Sequence, residues 1–136
     1  MTEYHELVTW HLSTILPAFA IGTYLMVRHK GDRLHRNLGK TYMLLMLSTA
    51  VITLGMPAQV GPRWLDHFGL IHGFALLTLY LVPTALLAAR RGNIRVHRKK
   101  MVGLYLGGLM IAGAFAFAPG RLLNSWITGA PTAVLR

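Results

Sequence analysis

Four histidines stand where they could act as two pairs: His11 and His35 in the first half of the chain, His72 and His97 in the second. A neutral imidazole offers one nitrogen lone pair to a metal, and two imidazoles on opposite sides of a planar macrocycle complete the coordination of low-spin haem iron. Tetrahedral zinc instead takes three or four protein ligands, usually thiolates or carboxylates beside histidine. The chain of 136 residues has no cysteine, which excludes disulfides, thiolate metal sites, iron-sulfur clusters and covalent c-type haem attachment. The expected metal ligands are therefore His11, His72, His35 and His97. The expected cofactor is haem b, two per chain, each with its iron.

The spacing of these histidines is duplicated. His35 lies 22 residues before Pro57 and 29 before Trp64, and His97 lies 22 before Pro119 and 29 before Trp126. His11 precedes His35 by 24 residues and His72 precedes His97 by 25, so a one-residue gap aligns the earlier pair. Arg-His-Lys-Gly-Asp-Arg-Leu-His-Arg at 28–36 matches Ala-Arg-Arg-Gly-Asn-Ile-Arg-Val-His-Arg at 89–98. Apolar composition alone does not reproduce coincident His, Pro and Trp intervals. The chain reads as one membrane domain, 1–136, built from a repeat of about 8–64 and a second of about 69–126.

The elements that must hold these side chains are membrane helices. Hydrophobic residues make up 54% of the chain and charged residues 13%, too apolar for an ordinary soluble domain. Stretches of about 7–27, 38–56, 68–89 and 101–118 approach the roughly 20 apolar residues that a spanning helix needs. The expected fold is all-α: an integral membrane four-helix bundle made of two repeated helical hairpins, with both termini outside. Glu3 and Glu6 replace the basic start of a cleavable signal peptide, so the first stretch is expected to be retained. The net charge of +10 is placed by topology, since Arg28, Lys30, Arg33, Arg36 and Lys40 fill the first connector and Arg90, Arg91, Arg95, Arg98, Lys99 and Lys100 the third. Short Lys/Arg-rich loops stay cytoplasmic. The chain is thus expected to be multi-pass in a bacterial inner membrane with periplasmic termini, and nucleic acid is not an expected partner.

Both connectors carry the same punctuation, Gly31-Asp32 and Gly92-Asn93, in which glycine ends one helix and Asp or Asn caps the next near 33 and 94. Pro57 and Pro119 should end the second and fourth helices, Trp64 and Trp126 suit an interfacial aromatic belt, and Pro17 and Pro83 should kink the other two. A direct repeat of hairpins relates the halves by a pseudo-two-fold axis along the membrane normal. His11 would then face His72 near the outer surface, and His35 would face His97 near the inner one, with the layers about 24 Å apart at helical rise.

Small residues follow His11 on its own face, Thr14, Ala18 and Gly22, and Gly73 adjoins His72; they offer room for a macrocycle, or ordinary small-residue helix packing. Tyr42 and Tyr105, seven and eight residues after the inner histidines, would line the inner pocket or simply pack. Arg36 and Arg98 repeat beside the inner histidines and could pair with propionates, against the alternative of retention at the inner face and lipid phosphate binding. Arg63 and Arg121 are the outer cations. His5, His29 and His67 lie at membrane edges, where His5, Glu3, Glu6, Asp66 and His67 could form an outer metal or donor-docking cluster. Met43, Met46, Met101 and Met110 show no clustered thioether motif and are read as packing.

With these residues in place, the pattern resembles the di-haem transmembrane cytochrome b superfamily of the ascorbate-linked and ferric-reductase type, over about residues 8–123. That resemblance implies two b-haems between four helices, held by His11 with His72 and by His35 with His97. The chain departs from it in having no helices beyond the core four and no recognisable ascorbate or flavin domain. Leu34-His35-Arg36-Asn37-Leu38-Gly39-Lys40-Thr41-Tyr42 and His97-Arg98-Lys99-Lys100-Met101 also resemble a family of small bacterial four-helix membrane proteins with His-Arg-x-x-Gly and His-Arg-x-x-Met. The expected function is a haem b-binding electron carrier, an electron-transfer protein or oxidoreductase subunit and not a hydrolase or transferase. Two alternatives remain open: a non-redox accessory or assembly subunit of a larger complex, and a quinone-binding or small transport protein. Expected partners are membrane lipids, a quinone or redox protein, and further copies or subunits.

Overall fold

The computed structural model describes residues 2–57 and 67–129. Their elements are all helical: α1 (Thr2–Val27), α2 (Arg33–Gly55), α3 (Leu70–Arg90), α4 (Ile94–Gly103), a π-helical segment (Leu104–Ile111), α5 (Ala112–Ala116) and α6 (Leu122–Thr128). The boundaries at the basic connectors follow from local chemistry. Gly31 and Gly92 take φ of 99° and 76°, backbone that side-chain-bearing residues rarely adopt, and so end one helix and release the chain into the next. Asp32 then accepts from the His35 backbone N–H at 2.7 Å, and Asn93 accepts from the Val96 N–H at 3.3 Å. The helices start at Arg33 and Ile94, as the sequence predicts. Asp32 also pairs with Arg28 at 2.6 Å. Its carboxyl lies below the usual carboxylate range, held there first by the His35 N–H and, against some loss of solvation, by the Arg28 charge.

Three helices, α1, α2 and α3, are long and apolar enough to cross a membrane. Only 11%, 33% and 28% of their spanning windows is buried inside the protein, so most of their apolar surface faces outward, as in a membrane-spanning chain. The fourth apolar stretch differs from the simple helix expected over 101–118. Helical backbone runs from Ile94 to Ala116, but the ladder widens to π geometry over Leu104–Ile111 and then narrows again. Gly103, Gly107, Gly108 and Gly113 lie in this run, where missing side chains weaken the hold on α geometry. Pro17 and Pro83 sit inside α1 and α3, neither of which ends at its proline. Pro57 follows the end of α2 and Pro119 the end of α5. Trp126 is exposed on α6, while Trp64, Arg63, Asp66 and Arg136 lie outside the described residues.

Successive helices pack as hairpins, α1 on α2, α2 on α3 and α3 on α4. The core gathers Ala18, Tyr42, Met43, Met46, Val82, Leu104, Tyr105 and Leu109. Met43 and Met46 are thus interior packing side chains, and Met101 leans on the same cluster. The core lies in the middle of the bundle. The four histidines are arranged above and below it.

Candidate histidine sites at the two ends of the bundle

His11 is anchored to α2. Its Nδ1 lies 2.9 Å from Thr49 Oγ1 and 3.1 Å from Thr53 Oγ1, both threonines being buried. The Thr53 hydroxyl already donates to the Thr49 carbonyl at 2.8 Å. Its oxygen must therefore accept from His11 Nδ1–H, which in the neutral ring leaves Nε2 with a lone pair. An imidazole whose other N–H is fixed in this way has the orientation and tautomer of a metal ligand.

His72 has the opposite chemistry. It occupies the first turn of α3, where its Nδ1 accepts from the Gly69 backbone N–H at 3.1 Å while its own backbone N–H donates to the Gly69 carbonyl at 3.0 Å. This reciprocal bonding satisfies a helix-terminal donor. It also consumes the Nδ1 lone pair, so the neutral ring carries its proton on Nε2. The residue is 3% exposed, and its Nε2 has no hydrogen-bond partner among the described residues. The rings of Phe68 and His67 stand 5.0 Å and 5.2 Å from it. His67 Nε2–H donates to the Leu54 carbonyl at 3.1 Å, which ties this end of α3 to the end of α2.

At the basic end, His97 donates Nδ1–H to the Ala85 carbonyl of α3 at 2.9 Å. A carbonyl only accepts, so the neutral ring keeps its lone pair on Nε2. His35 lies within electrostatic range of His97. Its Nδ1 is buried and has no hydrogen-bond partner among the described residues, and no ring hydrogen bond fixes its orientation. The pair at the basic end therefore joins one imidazole with a free Nε2 lone pair to one whose buried Nδ1 has no partner among the described residues. Arg36 and Arg98 beside them are exposed.

Tyr42 and Tyr105 meet across the middle of the bundle against Gly22. A Cβ at Gly22 would lie 2.8 Å from Tyr42 Cε2 and 3.0 Å from Tyr105 Cδ2. The small-residue stripe of α1 is thus filled by protein at Ala18 and Gly22. Tyr105 OH donates to Thr23 Oγ1 at 2.7 Å, because the Thr23 hydroxyl already donates to the Phe19 carbonyl. The Tyr42 hydroxyl is buried with no partner among the described residues. Gly73 faces open space. Among the described residues no three His, Asp or Glu side chains form a group able to hold a metal ion. A tetrahedral ion with three protein ligands has no site there, and His5, Glu3, Glu6 and His67 form no such cluster. Asp66 of that expected cluster lies outside the described residues.

Thr49 and Thr53 were not among the site residues expected from sequence. Their signal was two hydroxyls four residues apart in an apolar helix, hence on one face. The chain belongs to the family described as predicted membrane protein (DUF2306), which matches residues 8–126. No curated protein and no solved structure matches it.

Proposed function

We propose that the chain is a haem b-binding electron carrier of the bacterial inner membrane, with one bis-histidine site formed by His35 and His97 at the basic end of the bundle. The observation that carries this proposal is the His97 Nδ1–H bond to the Ala85 carbonyl. It fixes the tautomer with a free Nε2 lone pair, within electrostatic range of the uncommitted His35. Two such nitrogens satisfy haem iron, whereas three-ligand ions lack a site among the described residues. Bound haem would supply a one-electron iron couple. Arg36 and Arg98 would pair with its propionates, and the surrounding positive charge would favour the reduced state.

The outer pair does not fit a second haem as the side chains stand. His11 has a free Nε2, but the His72 Nε2 carries a proton as long as Nδ1 accepts from Gly69. One haem per chain follows, in place of the two expected from symmetry. The helical run from Ile94 would complete a fourth span, the basic connectors would face the cytoplasm and both termini the periplasm, because short Lys/Arg-rich loops are retained. A membrane quinone or a redox protein would exchange electrons with the site. A second reading draws on His72 alone: a buried Nε2–H with no partner among the described residues is a donor suited to a quinone carbonyl, and it predicts quinone retention without iron.

The test is a reduced-minus-oxidised visible spectrum of detergent-purified protein expressed with ample haem. A b-type spectrum that vanishes in both His35→Ala and His97→Ala supports the inner site. A spectrum unaffected by either substitution, or none in the parent protein, refutes it.

A further inference from the structure

Eleven of the 14 Lys and Arg residues lie in the two basic connectors, leaving only Arg63, Arg121 and Arg136 elsewhere. The acid beside them is Asp32, already engaged by Arg28 in the one ion pair found among the described residues. This end of a membrane protein therefore presents a large positive charge that its own side chains do not neutralise. On α4 the charge is organised. Arg95, Arg98 and Lys99 share one helix face with Val102, at spacings of three, four and seven residues from Arg95. Together with Ile94 and Gly103 they line an open groove of about 640 Å³. Nothing lies within 4 Å of where a Gly103 Cβ would stand. Deeper along the same helical run, Leu106 and Met110 are half-exposed.

We infer that this groove binds an anionic phospholipid of the leaflet that contacts the basic connectors. Arg95, Arg98 and Lys99 would hold the phosphate, a task suited to guanidinium forks and an ammonium. One acyl chain would run past Val102 and Gly103 toward Leu106 and Met110. The amphipathic lining selects a lipid over a free anion, because a soluble phosphate has no use for the apolar half. The groove shares Arg98 with the haem proposal, so the test below leaves Arg98 in place; the proposed ligand His97 turns toward Ala85 of α3 and does not line the groove.

The test is native mass spectrometry of the full chain released from detergent in an equal mixture of phosphatidylglycerol and phosphatidylcholine. Arg95→Gln/Lys99→Gln is compared with Arg90→Gln/Arg91→Gln, which removes the same charge from exposed connector positions outside the groove. Each basic residue near a membrane surface changes anionic lipid affinity by about fivefold. The groove pair should lower the preference for phosphatidylglycerol by about 30-fold. The connector pair, which does not line the groove, should lower it by about threefold or less. Circular dichroism establishes that both variants fold, and Lys99→Gln alone, expected to lose about fivefold, serves if the groove pair does not. Equal losses in the two pairs, or no preference in the parent chain, would overturn the site. Displacement of the bound lipid by millimolar inorganic phosphate would overturn it in favour of a soluble-anion site.

Discussion

At the end of the bundle away from the basic connectors His72 accepts a hydrogen bond at Nδ1 from the Gly69 N–H, whereas at the basic end His97 donates from Nδ1 to the Ala85 carbonyl. The two residues are separated by one connector and matched to earlier histidines by the same repeat, yet their rings end in opposite tautomers. Position on the helix decides this. His72 stands in the first turn of α3, where free N–H groups seek acceptors, and its ring closes back on its own helix. His97 also stands in a first turn, but Asn93 already caps α4 through the Val96 N–H, and the ring is free to reach another helix. A duplicated histidine thus does not have a duplicated ring geometry. In the proposed reading, the ring that is spared from capping is the one that coordinates.

The contrast can be broken most forcefully by truncation. His72→Ala removes a buried ring and the partner of Gly69 N–H, and should lower the stability of the cofactor-free protein by roughly 2–3 kcal/mol. His97→Ala removes a partly exposed ring with one hydrogen bond and should cost about 1 kcal/mol. Thermal unfolding in detergent should place the two variants in that order, and the reverse order would mean that His72 is not the structural member of the set. Gly22→Leu tests the region between the layers. With a Cβ already 2.8 Å from Tyr42 Cε2, overpacking should cost about 1–3 kcal/mol, read from the same melt. A neutral result there would show that the tyrosines leave room between them.

A gentler change sharpens the picture around His11. Thr53→Val removes one acceptor of His11 Nδ1–H while Thr49 keeps the other, for a cost of about 0.5–1.5 kcal/mol. Thr49→Val/Thr53→Val strands the donor, and nitrogen-15 NMR of the imidazole should then report a changed tautomer balance. The smallest effect concerns the cap. Because the Asp32 carboxyl has a lowered pKa in the folded protein, its contribution is present above the ordinary carboxylate range and is lost as pH falls through the folded value. A melt series should show an acid-side decline that is weaker in Asp32→Ala. An equal decline in both would assign the acid sensitivity to other groups.

The helix starts at Arg33 and Ile94 were legible because their causes are local, a glycine with positive φ followed by an Asp or Asn whose side chain reaches three residues ahead. The π-helical segment was not, since the glycines that permit it do not specify it and the packing around Tyr105 and Leu109 enters only in three dimensions. The histidines themselves were visible as a pattern, but their protonation depends on partners remote in sequence. His11 meets Thr49 across 38 residues, and His97 meets Ala85 across 12. The Gly69 and His72 contact spans only three residues, and a glycine three positions ahead of a histidine at a helix start was the available hint that this ring is a cap. Symmetry in the sequence drew attention to the shared residue type and away from that local difference.

The central claim is that the histidines at the basic end ligate and His72 does not, and the most direct measurement is the pyridine-haemochrome count per chain in the parent protein, His72→Ala and His97→Ala. About one b-type haem in the parent, retained in His72→Ala and lost in His97→Ala, is the predicted outcome. Two haems in the parent with one lost in His72→Ala, or no haem in any of the three, would contradict it.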